Sequence, residues 1–127
     1  MKTLLRSAAF LVLSVASLAS AGEAKPLKVP SNNQFGDIAS VCTEQKPGSH
    51  LCNFQFTNAT ARPIKKIVFT VKGEPNYVCP YAEYEITITN INGQGGVQSG
   101  PAEPVELCTD IHKLSAQVIA VQMSALL

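Results

Sequence analysis

The chain has 127 residues, with ten Lys/Arg against nine Asp/Glu and a formal charge of +1. That length holds one domain rather than two, and so balanced a charge gives no basic surface for nucleic acid. Beyond residue 21 no apolar run approaches the roughly 20 residues of a membrane span, so neither nucleic acid nor a membrane span is expected.

Residues 1–21 read as an export signal. Lys2 and Arg6 make a basic start, and Ala8 to Leu18 is apolar apart from Ser14 and Ser17. Ala19-Ser20-Ala21 is then a small-residue cleavage site. No Cys follows Ala21, so this is not a lipoprotein signal. Removing 21 of the 127 residues leaves 106, with eight bases against nine acids. The expected location is secreted or periplasmic, which excludes a cytoplasmic enzyme.

Residues 22–34 contain Pro26, Pro30 and several polar side chains, and read as a flexible arm or an edge segment. The packed domain is expected over 35–127. Within it, Cys42 and Cys52 flank a stretch whose Lys46-Pro47-Gly48-Ser49 core is a turn signal. A hairpin there would bring the two sulfurs together and leave Cys79 and Cys108 to each other. All four cysteines lie in the exported part, where oxidising conditions favour disulfides. On the chain-entropy model each bridge contributes roughly 3–4 kcal/mol.

The segments that follow alternate with period two. Cys52, Phe54 and Phe56 face one way, and Asn53, Gln55 and Thr57 the other. Ile64 to Val71 is the next strand, with Ile67, Phe69 and Val71 on one face. Glu83 to Ile91 places Tyr84, Ile86 and Ile88 inward and Glu83, Glu85, Thr87 and Thr89 outward. Asn92-Gly93-Gln94-Gly95-Gly96 is a hairpin loop, and Val97 opens a short strand running into Gly100-Pro101. Leu114 to Met123, apolar on both faces, reads as a buried central strand. Short strands with Gly/Pro turns and no helical period point to an all-β fold, a single disulfide-stapled antiparallel sandwich. Its inner faces are expected to hold Phe54, Phe56, Ile67, Phe69, Val71, Tyr84, Ile86, Ile88 and Val118.

Phe54-Gln55-Phe56-Thr57-Asn58 followed by Pro63-Ile64-Lys65-Lys66-Ile67-Val68-Phe69-Thr70-Val71 resembles the opening of FxLYD-type extracytoplasmic domains. Those are small bacterial immunoglobulin-like sandwiches. Gly100-Pro101-Ala102-Glu103-Pro104 is similar to a turn that precedes the last strands of related secreted domains. The family's F-x-L-Y-D falls here on Phe69-Thr70-Val71-Lys72-Gly73, so its Tyr and Asp are missing. The resemblance implies an immunoglobulin-like fold and carries over no catalytic or ligand residue.

Candidate chemistry is sparse. A Ser-His pair at Ser49-His50 is set apart by the alternation of a strand. Glu83 and Glu85 share a face, as the wet side of a half-buried strand does. The glycine loop lacks the Lys-Ser/Thr of a phosphate cradle. Lys65 and Lys66, with Arg62 nearby, read as edge lysines that oppose strand pairing. Asn58-Ala59-Thr60 fits the glycosylation triplet. Cys52, Cys108, His50 and His112 have zinc-ligand chemistry without finger or ribbon spacing. No cofactor or metal is expected.

Tyr77 and Tyr81 flank Cys79-Pro80, and tyrosines on a stapled loop make a contact surface with large area and low entropic cost. The expected function is therefore a non-enzymatic binding module that meets a protein or surface glycan through its loops, residues 74–84 and 92–100 first. The alternative is a secreted enzyme inhibitor or immunity-type protein.

Overall fold

The computed structural model describes residues 25–74 and 83–125. The expected export signal at 1–21, Tyr77, Cys79 and Tyr81 lie outside the described residues. The elements are β1 (Leu27–Val29), β2 (Gly36–Lys46), β3 (Ser49–Asn58), β4 (Ile64–Lys72), β5 (Glu83–Ile91), β6 (Val97–Leu107), a 3₁₀ turn (Ile111–Lys113) and β7 (Ser115–Met123). They form two antiparallel sheets, one in the order β1-β2-β3-β6 and the other β5-β4-β7. No helix among the described residues is long and apolar enough to cross a membrane.

Alternation builds the core. Phe54 and Phe56 from β3, Ile67, Phe69 and Val71 from β4, and Ile86 and Ile88 from β5 are all buried between the sheets. Phe54 and Phe69 meet across the layer edge to face, ring centres 6.2 Å apart, an arrangement contributing about 0.5–1.5 kcal/mol beyond area burial. Tyr84 and Val118 are partly buried against this cluster. Val29, Ile38, Ile64, Ile91, Leu107 and Leu114 complete it.

The packed domain begins earlier than Phe35. Leu27–Val29 pairs with Ser40–Ile38 as an edge strand, and Val29 is buried in the core. Ser31 then bridges to Ala116, and Ala116 N donates to Pro30 O at 2.9 Å. The arm thus starts on one sheet and reaches the other.

Two more strands differ from expectation. β6 does not stop at Gly100-Pro101, a cis peptide. It bulges: Pro101 to Pro104 lie opposite Asn53 alone, between the pairs Phe54–Gly100 and Cys52–Val105. Asn53 Nδ2 donates to Pro101 O at 2.8 Å, so a side chain satisfies the carbonyl that the bulge takes out of the ladder. β7 is an edge strand and not a central one. It reads as apolar on both faces because Ile119, an extra residue in its pairing with β4, is set on the outside with Ala120.

Candidate functional site

Strand direction sorts the connections into two ends. The hairpin end holds the β2–β3 turn at 46–49, the exit of β4, the entry of β5, the exit of β6 and the 3₁₀ turn. The opposite end holds Phe35 and Gly36, the 59–63 connection, the 92–96 loop and the exit of β7. The strand ends that bound the two segments expected to form a contact surface, Lys72 and Glu83 for 74–84 and Ile91 and Val97 for 92–100, therefore lie at opposite ends.

The far end is locked by Asn58, whose side chain is buried. Its Nδ2 donates to Arg62 O at 2.8 Å, and its Oδ1 accepts from Thr60 N and Thr60 Oγ1 at 2.8 and 2.7 Å. Its backbone joins the glycine loop: Asn58 N donates to Gly96 O and Gly95 N to Asn58 O, both at 2.8 Å. The loop is compact because Gly95 has φ +90° and a Cβ on Gly93 would stand 2.6 Å from Ala61 O. Asn58 thus acts as a buried turn-former, and the folded chain does not offer its amide as a glycan acceptor.

The hairpin end is built differently. Cys42 and Cys52 are directly opposite in β2 and β3, bonded with their Cα atoms 4.0 Å apart. Cys108 is also disulfide-bonded, while Cys79, its expected partner, lies outside the described residues. Gly48, at φ +83°, closes the turn, and an added Cβ there would meet nothing within 4 Å. Ser49, buried, donates its hydroxyl to Glu106 Oε2 at 2.7 Å and ties the turn to β6.

Between them lies an open cleft of about 530 Å³ lined by Lys46, Pro47, Ser49, Tyr84, Glu106 and Cys108. It brings one cation, one carboxylate and one aromatic ring into a single concavity. Close by, Lys113 and Glu74 form an exposed ion pair at 3.7 Å, a contact that contributes little to stability. His50 Nδ1 is shut from solvent without a hydrogen-bond partner among the described residues.

The remaining candidates resolve on geometry. Ser49 turns its hydroxyl to Glu106 and not to His50. Cys52 and Cys108 are oxidised, so neither is a thiolate for zinc. Glu83 and Glu85 are exposed opposite Lys72 and Thr70. Lys65 and Lys66 are exposed, but β4 is the central strand of its sheet, so they guard no edge. Arg62 Nη2 donates to Ser124 O at 2.7 Å, an internal clasp. Tyr77 and Tyr81 belong to the β4–β5 connection, which leaves and enters at the hairpin end.

Sequence reasoning missed Lys46, Ser49, Tyr84 and Glu106 as one group. Only the Lys-Pro-Gly turn was visible locally, and the Ser49–Glu106 contact joins residues 57 apart. Comparison with known protein families, with characterised proteins and with solved structures finds no match.

Proposed function

We propose that this protein is an exported, non-enzymatic binding module that contacts a protein or surface glycan through the loops of its hairpin end. The observation that carries the reading is the cleft of Lys46, Tyr84 and Glu106 on strand ends held by disulfides at Cys42–Cys52 and Cys108. A rigid scaffold lowers the ordering cost of presenting such groups.

An immunoglobulin-like relationship belongs to the same proposal. Its support is the pairing of β3 with β6 in one sheet and of β4 with β7 in the other. Strands B with E and C with F are neighbours in this way in immunoglobulin domains. The chain order differs from theirs: β1 and β2 precede, and among the described residues no strand takes the place of G.

The test is a paired melt and capture. A Lys46→Glu change at the exposed rim of the cleft is expected to hold the melting temperature within a few degrees, since an exposed change costs about 0.5 kcal/mol or less, and to abolish capture of the partner from the exported proteome. Unchanged capture with a melt lowered by about ten degrees would overturn the site assignment.

A further inference from the structure

Residues 30–35 lie along the outer edge of β7. Ser31 bridges to Ala116, and Ala116 N donates to Pro30 O at 2.9 Å. Asn33 then folds the segment on itself: its Oδ1 accepts from Phe35 N and Gly36 N at 2.7 and 3.1 Å, and its Nδ2 donates to Ser31 Oγ at 2.7 Å. Asn32 is left exposed, its side chain bonded to no described residue. It borders a hollow of about 370 Å³ whose other polar walls are Thr70 and Lys72 of β4 and Ser115 and Gln117 of β7. A cavity of that size is in the range of small-ligand sites, roughly 300–1,000 Å³.

Register builds the hollow. Thr70 and Lys72 are two apart on β4 and share a face of the sheet. Gln117 and Ser115 are their direct partners on β7, and Cβ atoms so paired stand about 4.5–5.5 Å apart. One ammonium, two hydroxyls and, with Asn32, two amides therefore surround one space, with no carboxylate among them. None of these five side chains bonds to another described residue. Glu74, two residues beyond Lys72, is paired with Lys113 at 3.7 Å. Glu83, opposite Lys72 on β5, is on the side of β4 away from β7 and makes no ion pair with it. Lys72 is thus a cation with no anion of its own among the described residues.

We propose that this hollow binds an acidic sugar residue of a glycan, with its carboxylate or sulfate at Lys72 and its hydroxyls on the amides and hydroxyls around it. The inference goes beyond the hairpin-end reading, whose cleft shares none of these residues. Amides and hydroxyls each both donate and accept, as the neighbouring hydroxyls of a sugar require. A lysine ammonium meets an oxyanion of either kind as a point charge. The other ligand classes ask for groups the hollow does not hold. A nucleic acid needs a row of cations, a protein partner needs aromatic or large apolar anchors, and a metal ion needs carboxylate, imidazole or thiolate ligands. Ala116 is the one apolar side chain in the wall. The segment that carries Asn32 is pinned at Ala116 and by Asn33, so the amide is presented at low ordering cost.

The measurement is titration calorimetry of the oxidised protein with tetrasaccharides of one backbone in neutral, uronate and sulfated form. At least one acidic form is expected to bind about tenfold or more tightly than the neutral one, and the preference between the two acidic forms names the oxyanion. Lys72→Gln should bring that form to the affinity of the neutral one. Asn32→Ala with Gln117→Ala should weaken neutral and acidic forms alike. These positions are exposed, so each variant should melt within a few degrees of the wild type. Lys46→Glu, in the hairpin-end cleft, should leave the affinity unchanged. The proposal is overturned if neither acidic form binds, if the neutral form binds as tightly, or if binding survives the hollow variants. It is equally overturned if the affinity falls with Lys46→Glu and not with Lys72→Gln, which would place the sugar in the hairpin-end cleft.

Discussion

The two ends of the sandwich are made of the same material, short connections between antiparallel strands, and they use it in opposite ways. At the Asn58 end the polar groups are turned on one another: a buried amide holds Thr60 and Arg62, and three backbone bonds lace the glycine loop to the 58–60 turn. At the hairpin end the rigidity comes from covalent bonds at Cys42–Cys52 and Cys108, and Lys46 and Glu106 keep exposed charges around a cleft. Hydrogen bonds that fix a turn consume the groups a partner would need. Disulfides fix strand ends and leave those groups available.

The largest expected effect tests the layer that both ends share. Phe54→Ala or Phe69→Ala removes half of the edge-to-face pair from a fully buried site and should cost about 3–5 kcal/mol in denaturant unfolding. Such a loss destabilises both ends together, so it serves as the reference for changes confined to one.

Next is the hairpin staple. Replacing Cys42 and Cys52 with Ala should cost about 2–4 kcal/mol, measured by thermal melt under oxidising conditions. The comparison is sharpened if hydrogen exchange then rises around 43–51 and stays low at 58–60 and 93–96. Equal loosening at both ends would show that the ends are not independent.

Asn58→Ala attacks the other end. It takes the acceptor from Thr60 N and one of the two donors from the carbonyl of Arg62, which keeps Thr60 Oγ1, and an unpaired buried group costs about 1–3 kcal/mol. The expected phenotype is a lowered melt with full partner capture by the folded fraction. Loss of capture at unchanged stability would move the contact surface to this end.

The smallest effect on stability is at Glu106. Glu106→Gln keeps an acceptor for the Ser49 hydroxyl but removes the charge, so a change within about 0.5 kcal/mol is expected for so exposed a side chain. Its effect on capture should be larger than its effect on the melt.

The sequence made the middle of the fold legible and left its margins hidden. β3 and β5 each alternate cleanly over at least six residues, so their buried faces follow from period two, while in β4 Val68 breaks the alternation by being apolar and buried between Ile67 and Phe69. β2 does not alternate in hydrophobicity: Ala39 and Val41 lie outside while Ser40 is buried within, which blurs the hydrophobic contrast. β6 is obscured by its two prolines, which signal an ending unless a bulge is allowed for. β7 reads as central in the sequence because a bulge places consecutive apolar residues on one side. The candidate site was least legible, since it depends on which strand ends share one end of the sandwich, and strand order lies in pairings far apart in sequence. The segments 74–84 and 92–100 look equivalent as sequence, and the strand directions set the strand ends that bound them at opposite ends of the fold.

The most direct test of the two-ended account works without the partner being identified. A photo-crosslinking side chain is placed at Lys46, exposed at the rim of the hairpin-end cleft, or at Gln94, exposed at the tip of the Asn58-end loop. Irradiation of the producing culture should give a discrete higher-mass adduct from position 46 and none from position 94. An adduct from position 94 with none from position 46 would contradict the account.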